Sequence, residues 1–100
     1  MGNVFNLSGQ TAIVTGAGRG IGRAIALGLA EAGANVVLCS RSQAEIDAVA
    51  DEIVRQGGQA LAVVTDLTLH EHLENLVNQA ISRFGRIDIL VNNAARSFLR

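Results

Sequence analysis

The fold of this chain is decided by one glycine-rich stretch, Thr15-Gly16-Ala17-Gly18-Arg19-Gly20-Ile21-Gly22. An apolar run of strand character, residues 11–15, leads into it, and a helical pattern of apolar residues follows. Glycines at such a junction let the backbone turn tightly and approach a pyrophosphate, whose charge is favoured by the free N–H groups at the start of a helix. The stretch therefore predicts a nucleotide-binding turn, and a tight turn without a ligand is the alternative.

The rest of the chain alternates short apolar runs with longer helical patterns. The predicted strands are residues 11–15, 35–40, 60–65 and 87–91. Each run is nearly continuously apolar, which is typical of strands in a parallel sheet covered by helices on both faces. We therefore predict an α/β fold, a Rossmann-like doubly wound parallel sheet of order 3-2-1-4 that is truncated after strand four. Residues 1–100 would form the N-terminal part of a single Rossmann-fold dinucleotide-binding domain.

The apolar spacing also predicts which face of each helix is buried. The predicted faces are Ile21, Ile25, Gly28, Leu29 and Ala32 in the first helix, Ile46, Val49, Ala50 and Ile53 in the second, and Leu69, Leu73, Leu76, Val77, Ala80 and Phe84 in the third. Two capping boxes are expected at the helix starts, Ser42 with Glu45 and Thr68 with Glu71. Three glycines are expected to close the helices, Gly33, Gly57 and Gly85.

Composition excludes several classes of function. The 100 residues carry a formal net charge of -1 and include neither Lys nor Tyr, so this chain has no phosphate-loop lysine, Schiff-base lysine or Tyr-Lys pair. No basic run indicates nucleic acid or an anionic membrane as a partner. His70 and His72 point apart on a helix and are expected to be solvated, so no metal site is predicted.

The cysteine count and the apolar runs bear on the compartment. Cys39 is the only cysteine, which excludes an internal disulfide and suits a reducing environment. It is expected to be a small buried apolar residue. No apolar run reaches the length of a membrane helix, and residues 1–10 lack the pattern of a signal peptide. We therefore expect a cytoplasmic protein.

The end of the second strand bears on which dinucleotide is bound. NAD-binding folds usually place an acid there for the ribose hydroxyls, but this chain has Ser40 and Arg41, with no acid until Glu45. Arg41, together with Arg19 of the glycine stretch, can form charge-assisted hydrogen bonds with a 2′-phosphate. This pattern favours NADP(H) over NAD(H), and a solvated surface arginine is the alternative.

The chain resembles the classical short-chain dehydrogenase/reductase family. The resemblance rests on the T-G-x-x-x-G-x-G pattern of residues 15–22, on Asp66-Leu67 after strand three and on Asn92-Asn93-Ala94 after strand four. It implies that Asp66 hydrogen-bonds the adenine amino group and that Leu67 adds a backbone contact. It also implies that Asn92 and Asn93 steady the sheet and line the cofactor's ribose. A helix-start acid and ordinary turn asparagines are the alternatives, and Ala95 stands where the family usually has glycine.

The resemblance further implies an NAD(P)-dependent oxidoreductase that transfers hydride between a ketone and an alcohol. Its members carry a catalytic Ser and a Tyr-x-x-x-Lys further along, so this chain would be an N-terminal cofactor-binding fragment, inactive alone, of a homo-oligomeric parent. No catalytic residue is predicted within it. The expected cofactor-binding residues are Gly16, Ala17, Gly18, Arg19, Gly20, Ile21, Ser40, Arg41, Asp66, Leu67, Asn92, Asn93 and Ala94.

Two other functions are open on the sequence. A free-standing nucleotide-binding or interaction module would pair the apolar strand four, expected at the sheet edge, with another chain. An S-adenosylmethionine-dependent methyltransferase would use Gly16-Ala17-Gly18-Arg19-Gly20 as a G-x-G-x-G loop, but Ser40-Arg41 supplies a cation where its ribose usually needs an acid. The substrate and the direction of reaction do not follow from these residues.

Overall fold

The computed structural model of the protein describes residues 6–94. Strand and helix alternate along the chain as β1 (Thr11–Thr15), α1 (Gly20–Glu31), β2 (Asn35–Ser40), α2 (Gln43–Arg55), β3 (Gln59–Val64), α3 (His70–Phe84) and β4 (Ile89–Val91). The strands form one parallel sheet in the order β3-β2-β1-β4. The predicted doubly wound, Rossmann-like order is therefore confirmed.

The last strand starts later than predicted because the Asp88 side chain takes the place of its first backbone hydrogen bonds to β1. The Thr11 N–H donates to the Asp88 carboxylate at 2.8 Å, and the Asp88 N–H donates to the Thr11 carbonyl at 2.9 Å. Regular pairing then begins with Ile89 opposite Ala12. Residues 87 and 88 thus approach the sheet without joining its ladder. β3 is shifted by one residue from the prediction, since it begins at Gln59 and ends at Val64.

Apolar side chains pack on both faces of the sheet. On one face α1 and α2 cover Val14, Val36 and Leu38, and the helices contribute Ala26, Ile46, Val49 and Ile53. On the other face α3 places Leu76 and Ala80 against Ile13, Val37, Cys39 and Val63. Alternate residues of β1 and β2 therefore point to opposite cores, which explains why the interior of each strand is apolar. The predicted buried face of α2 is confirmed at Ile46, Val49 and Ile53.

The predicted buried face of α1 is wrong. The buried residues are Gly22 and Ala26, whereas Ile21 is 72% exposed. Because α1 begins within the glycine turn, it lies so close to the sheet that only small residues fit at the contact. The larger apolar residues of α1, Ile25 and Leu29, are only half-buried beside that line of contact.

In α3 the predicted apolar face is only partly buried. Leu76 and Ala80 are buried, but Leu69, Leu73 and Val77 are exposed. Within residues 6–94, α3 is the only helix on its side of the sheet, so no neighbouring helix covers the rest of this face. As predicted, β4 lies at the edge of the described sheet, and its Leu90 is 67% exposed.

The start of α2 forms half of the predicted capping box. The Ser42 hydroxyl accepts a hydrogen bond from the Glu45 N–H at 3.4 Å. The return bond is not made, because the Ser42 N–H donates to the Ser40 hydroxyl at 3.1 Å. The three predicted helix-closing glycines all have a positive φ, of 102° at Gly33, 92° at Gly57 and 81° at Gly85.

The capping box predicted at Thr68 and Glu71 is wrong. The N-cap of α3 is Leu69, without a side-chain capping bond. The Thr68 hydroxyl donates instead to the carboxylate of Asp66 at 2.6 Å, because the chain turns once more between β3 and α3.

None of the helices in the described part of the chain is long and apolar enough to cross a membrane.

Candidate dinucleotide-binding site

A cleft of about 440 Å³ opens at the carboxyl ends of β1, β2 and β3. Three connections meet there: the glycine turn after β1, the β2–α2 loop and the β3–α3 loop. The lining residues are Gly16, Gly18, Arg19, Cys39, Ser40, Arg41, Ser42, Glu45, Thr65, Asp66, Leu67, Thr68 and Ala94. In open parallel sheets, ligands bind in the crevice outside this end of the strands. The cleft is therefore the candidate site.

The glycine turn is built from left-handed backbone. Gly16 and Gly20 have φ of 63° and 60°, a region that side-chain-bearing residues rarely adopt. α1 begins at Gly20, and its N-cap, Arg19, makes no side-chain capping bond. The first turn of α1 also has no acidic residue. The first N–H groups of this helix are therefore available to an anion, and the helix dipole favours one.

Gly22 is required by close packing behind this turn. A Cβ at this position would lie 2.0 Å from the Gly16 carbonyl oxygen and 2.5 Å from Nδ2 of Asn93. The Asn93 Nδ2 itself donates to the Gly16 carbonyl at 3.3 Å. Gly16, Gly22 and Asn93 thus form one packed unit that holds the turn against the segment after β4.

Thr15 holds the same segment from the end of β1. Its buried hydroxyl oxygen accepts hydrogen bonds from the N–H of Asn93 at 2.8 Å and of Ala94 at 2.9 Å. It lies within donating distance of the Val91 carbonyl, at 3.3 Å, and of Asn92 Oδ1, at 3.2 Å. Thr15 is the first residue of the predicted motif, but this role did not follow from the sequence. It depends on a contact with Asn93 and Ala94, which are distant from Thr15 in the sequence.

Asp66 is fixed at the mouth of the cleft. Its Oδ1 accepts hydrogen bonds from the Thr68 N–H at 2.9 Å and the Thr68 hydroxyl at 2.6 Å. These bonds lower the pKa of the Asp66 carboxyl, and the charge of Arg41 acts in the same direction. Within the described chain, no hydrogen bond is made to the other oxygen, Oδ2. An ionised acceptor is thus held ready for a donor on a ligand.

His72 supports this turn, contrary to the prediction that it is a solvated surface residue. Its Nδ1 accepts a hydrogen bond of 2.9 Å from the Asp66 N–H, and the residue is half-buried. His70 does lie exposed, with its Nε2 3.5 Å from the Glu74 carboxylate. The first turn of α3 therefore fixes the backbone that carries Asp66.

Two arginines lie in the cleft and form no ion pair at contact distance within the described residues. Arg19 and Arg41 are exposed, and neither forms an ion pair with any residue between 6 and 94. Arg23, one turn along α1, behaves differently because its guanidinium contacts the Glu52 carboxylate at 2.6 Å. Arg19 and Arg41 therefore place two positive charges in the cleft, whose lining also includes the carboxylates of Asp66 and Glu45.

Several of the predicted residues do not line the cleft. Ala17 is buried, and its N–H donates to the Cys39 carbonyl at 3.3 Å, which ties the turn to β2. The other predicted residues outside the lining are Gly20, Ile21, Asn92 and Asn93. Ala95, which stands where the family usually has glycine, lies outside the described residues.

The lining also contains residues that sequence reasoning did not assign to the site. These are Cys39, Ser42, Glu45, Thr65 and Thr68. Burial raises the pKa of the Cys39 thiol to about 11, which agrees with the predicted apolar role and makes it a poor nucleophile. Ser42 and Glu45 were recognised as capping residues, but their helix start faces the glycine turn.

Comparison with known proteins places this geometry among oxidoreductases. The chain is 49% identical over 90 residues to 7α-hydroxysteroid dehydrogenase of Escherichia coli K12, covering 90% of this chain and 35% of that protein. It is similar to a solved metagenomic short-chain oxidoreductase in complex with NADP, with a TM-score of 0.85 and 46% identity over 90% of this chain and 41% of that one.

A second similar solved structure contains NADH. It is 7α-hydroxysteroid dehydrogenase complexed with NADH and 7-oxo glycochenodeoxycholic acid, with a TM-score of 0.84 and 47% identity over 87% of this chain and 34% of that one. In these three matches the chain thus spans between 34% and 41% of the length of the similar protein. A family model described as short chain dehydrogenase matches residues 10–99. The chain therefore belongs to the short chain dehydrogenase family.

Proposed function

We propose that this chain is the cofactor-binding part of an NAD(P)-dependent oxidoreductase that interconverts a ketone and an alcohol. The observation that carries the proposal is the left-handed glycine turn, with Gly16 and Gly20 at positive φ, ahead of an α1 N-terminus without a side-chain cap. That turn shares one cleft with Asp66 and Arg41. An anion-binding helix end, a carboxylate acceptor and a guanidinium match the pyrophosphate, adenine and ribose ends of a dinucleotide.

The residues present fit such a cofactor in turn. The first N–H groups of α1 would hold the pyrophosphate, close to Gly16, Gly18 and Gly20. Asp66 would accept a hydrogen bond from the adenine amino group through Oδ2, with Leu67 beside it. Asn92, Asn93 and Ala94, tied to Thr15, would line the ribose on the nicotinamide side. Ala17, which is buried, would support the turn from behind, and the exposed Ile21 would flank it at the start of α1.

We further propose a preference for NADP(H). Arg41 and Arg19 lie in the cleft without ion-pair partners within residues 6–94, and Ser40 stands where NAD-binding folds usually have an acid. A guanidinium can hold a 2′-phosphate by two parallel hydrogen bonds. The similar proteins include one complex with NADP and one with NADH, so the preference rests on these residues and not on overall likeness.

When bound, the dinucleotide supplies or accepts the hydride. The chain's own residues would bind and orient it, but the sequence contains neither the Tyr nor the Lys that the resemblance assigns to moving the proton of a carbonyl reduction. We therefore propose that the parent protein catalyses the reaction, in the cytoplasm and as a homo-oligomer, and that this chain alone does not.

Calorimetric titration of the purified chain tests the class of ligand. NADPH should bind, and S-adenosylmethionine should neither bind nor compete with it. A matched variant, Asp66→Asn, should weaken NADPH binding several-fold, whereas Asp47→Asn on the exposed face of α2 should not. Binding of S-adenosylmethionine in place of NADPH would overturn the proposal in favour of a methyltransferase. NADPH-dependent ketone reduction by the chain alone would overturn its inactivity.

A further inference from the structure

Glu45 lies in the cleft wall although its position on α2 suggests a capping role. A glutamate three residues after a capping serine usually returns a hydrogen bond to the serine N–H. Here that N–H, on Ser42, is already donated to the Ser40 hydroxyl at 3.1 Å. The cap of α2 is completed by Ser40 and Ser42, so the Glu45 carboxylate has no part in it.

The Glu45 side chain rests instead on the glycine turn. A Cβ added to Gly18 would lie 2.7 Å from the Cβ and 2.7 Å from the Oε1 of Glu45. Glu45 is half-buried, and its carboxylate has no hydrogen-bond or ion-pair partner in the described stretch of chain. It therefore brings a negative charge into the same cleft as Arg19 and Arg41.

This charge acts oppositely on the two forms of the cofactor. A 2′-phosphate carries close to two negative charges at neutral pH and is repelled by a carboxylate several ångströms away, even in a solvent-exposed cleft. A ribose 2′-hydroxyl is uncharged and can donate a hydrogen bond to a carboxylate. Glu45 thus weakens the attraction of the two arginines for a ribose that carries a 2′-phosphate. It does not weaken the binding of a ribose that carries a 2′-hydroxyl.

We infer that Glu45 is a specificity-determining residue that weakens the chain's discrimination between 2′-phosphorylated and 2′-hydroxyl nucleotides. The inference rests on the proposed function, since it concerns the ribose end of the same cofactor cleft. It differs from the usual acid at the end of the second strand, because Glu45 reaches the cleft from the first turn of α2.

Two nucleotide fragments isolate the effect. Adenosine 2′,5′-bisphosphate and adenosine 5′-monophosphate differ only in the 2′-phosphate, and calorimetry with the full chain gives the ratio of their dissociation constants. Glu45→Gln removes the charge and keeps the shape of the side chain. Asp47→Asn makes the same change of charge on the exposed face of α2, where the side chain can still accept its hydrogen bond from Gln43.

In Glu45→Gln the ratio should shift by about threefold or more towards the bisphosphate, and the shift should shrink at high salt because it is electrostatic. Asp47→Asn should leave the ratio near that of the unmodified chain. An unchanged or reversed ratio in Glu45→Gln would overturn the inference about Glu45. The proposed NADP(H) preference is judged separately, since it fails if the unmodified chain binds both fragments equally.

Discussion

The hydroxyl oxygen of Thr15 accepts a hydrogen bond of 2.8 Å from the N–H of Asn93, although the two residues are 78 positions apart in the sequence. The same oxygen accepts from the Ala94 N–H, so one buried hydroxyl joins the end of β1 to the segment after β4. Both N–H groups lie in partly buried surroundings, where an unpaired donor costs about 1–3 kcal/mol.

Thr15→Val keeps the shape of the side chain but removes this acceptor. We expect it to lower the free energy of unfolding by about 2 kcal/mol, because two backbone donors lose their partner. Thr15→Ser retains the hydroxyl and should lose well under half as much. Urea unfolding followed by circular dichroism measures both variants. Equal stability of Thr15→Val and the unmodified chain would show that the contact contributes nothing.

Two glycines of α1 should respond in opposite ways to the same substitution. In Gly22→Ala the new Cβ would lie 2.0 Å from the Gly16 carbonyl oxygen, so the turn and the helix must separate. We expect lost stability and loss of NADPH binding. In Gly28→Ala the new Cβ meets nothing within 4 Å, so the helix should gain up to about 1 kcal/mol. Thermal melting and NADPH titration distinguish the two, and a harmless Gly22→Ala would contradict the packing described for the turn.

That pair of glycines also illustrates what the sequence could predict. Strand order followed from apolar runs, and the position of the cleft followed from the glycine turn, because both depend on local pattern and general rules of topology. The buried face of α1 did not follow, since large apolar residues normally mark a buried face and here the close approach at Gly22 selects small ones. His72 was also misassigned, because its contact depends on the backbone turn at Asp66, which residue types alone do not specify.

Acid should weaken the fold through Asp88. Hydrogen bonds from the Arg86 side chain and then from the Thr11 N–H lower the pKa of this carboxyl below its usual 3.8. A folded-state pKa below the unfolded one means that Asp88 contributes stability above the unfolded pKa, and the contribution is lost as pH falls through the folded value. The loss should therefore occur at and below about pH 4.

Asp88→Asn removes this contribution at every pH. The variant should be less stable than the unmodified chain at pH 7, and the difference should narrow below about pH 4. Part of the acid sensitivity should persist, since the pKa of Asp66 is lowered as well. Unfolding free energies measured between pH 3 and 7 give the comparison. A difference that stays constant over this range would argue against the Asp88 contacts.

The edge strand β4 should promote self-association of this chain. Leu90 is 67% exposed on a strand that has a neighbour on one side only within the described sheet. Exposed apolar edges pair with other chains, and a lysine blunts them. Leu90→Lys should therefore reduce the apparent mass in light scattering at high protein concentration. Val54→Lys, at an exposed apolar residue of α2, is the matched control and should have little effect. Equal self-association of the two variants would show that the edge strand β4 does not promote it.

The most direct test of the cofactor cleft is the comparison of NADPH and NADH binding in the unmodified chain, in Arg41→Gln and in Arg55→Gln. Arg55 lies at the other end of α2, so its variant controls for the loss of one positive charge. We expect tighter binding of NADPH than of NADH, and a loss of about tenfold in affinity for NADPH alone in Arg41→Gln, since a hydrogen-bonded charge pair is broken. Equal affinity for the two cofactors in all three proteins would contradict this expectation.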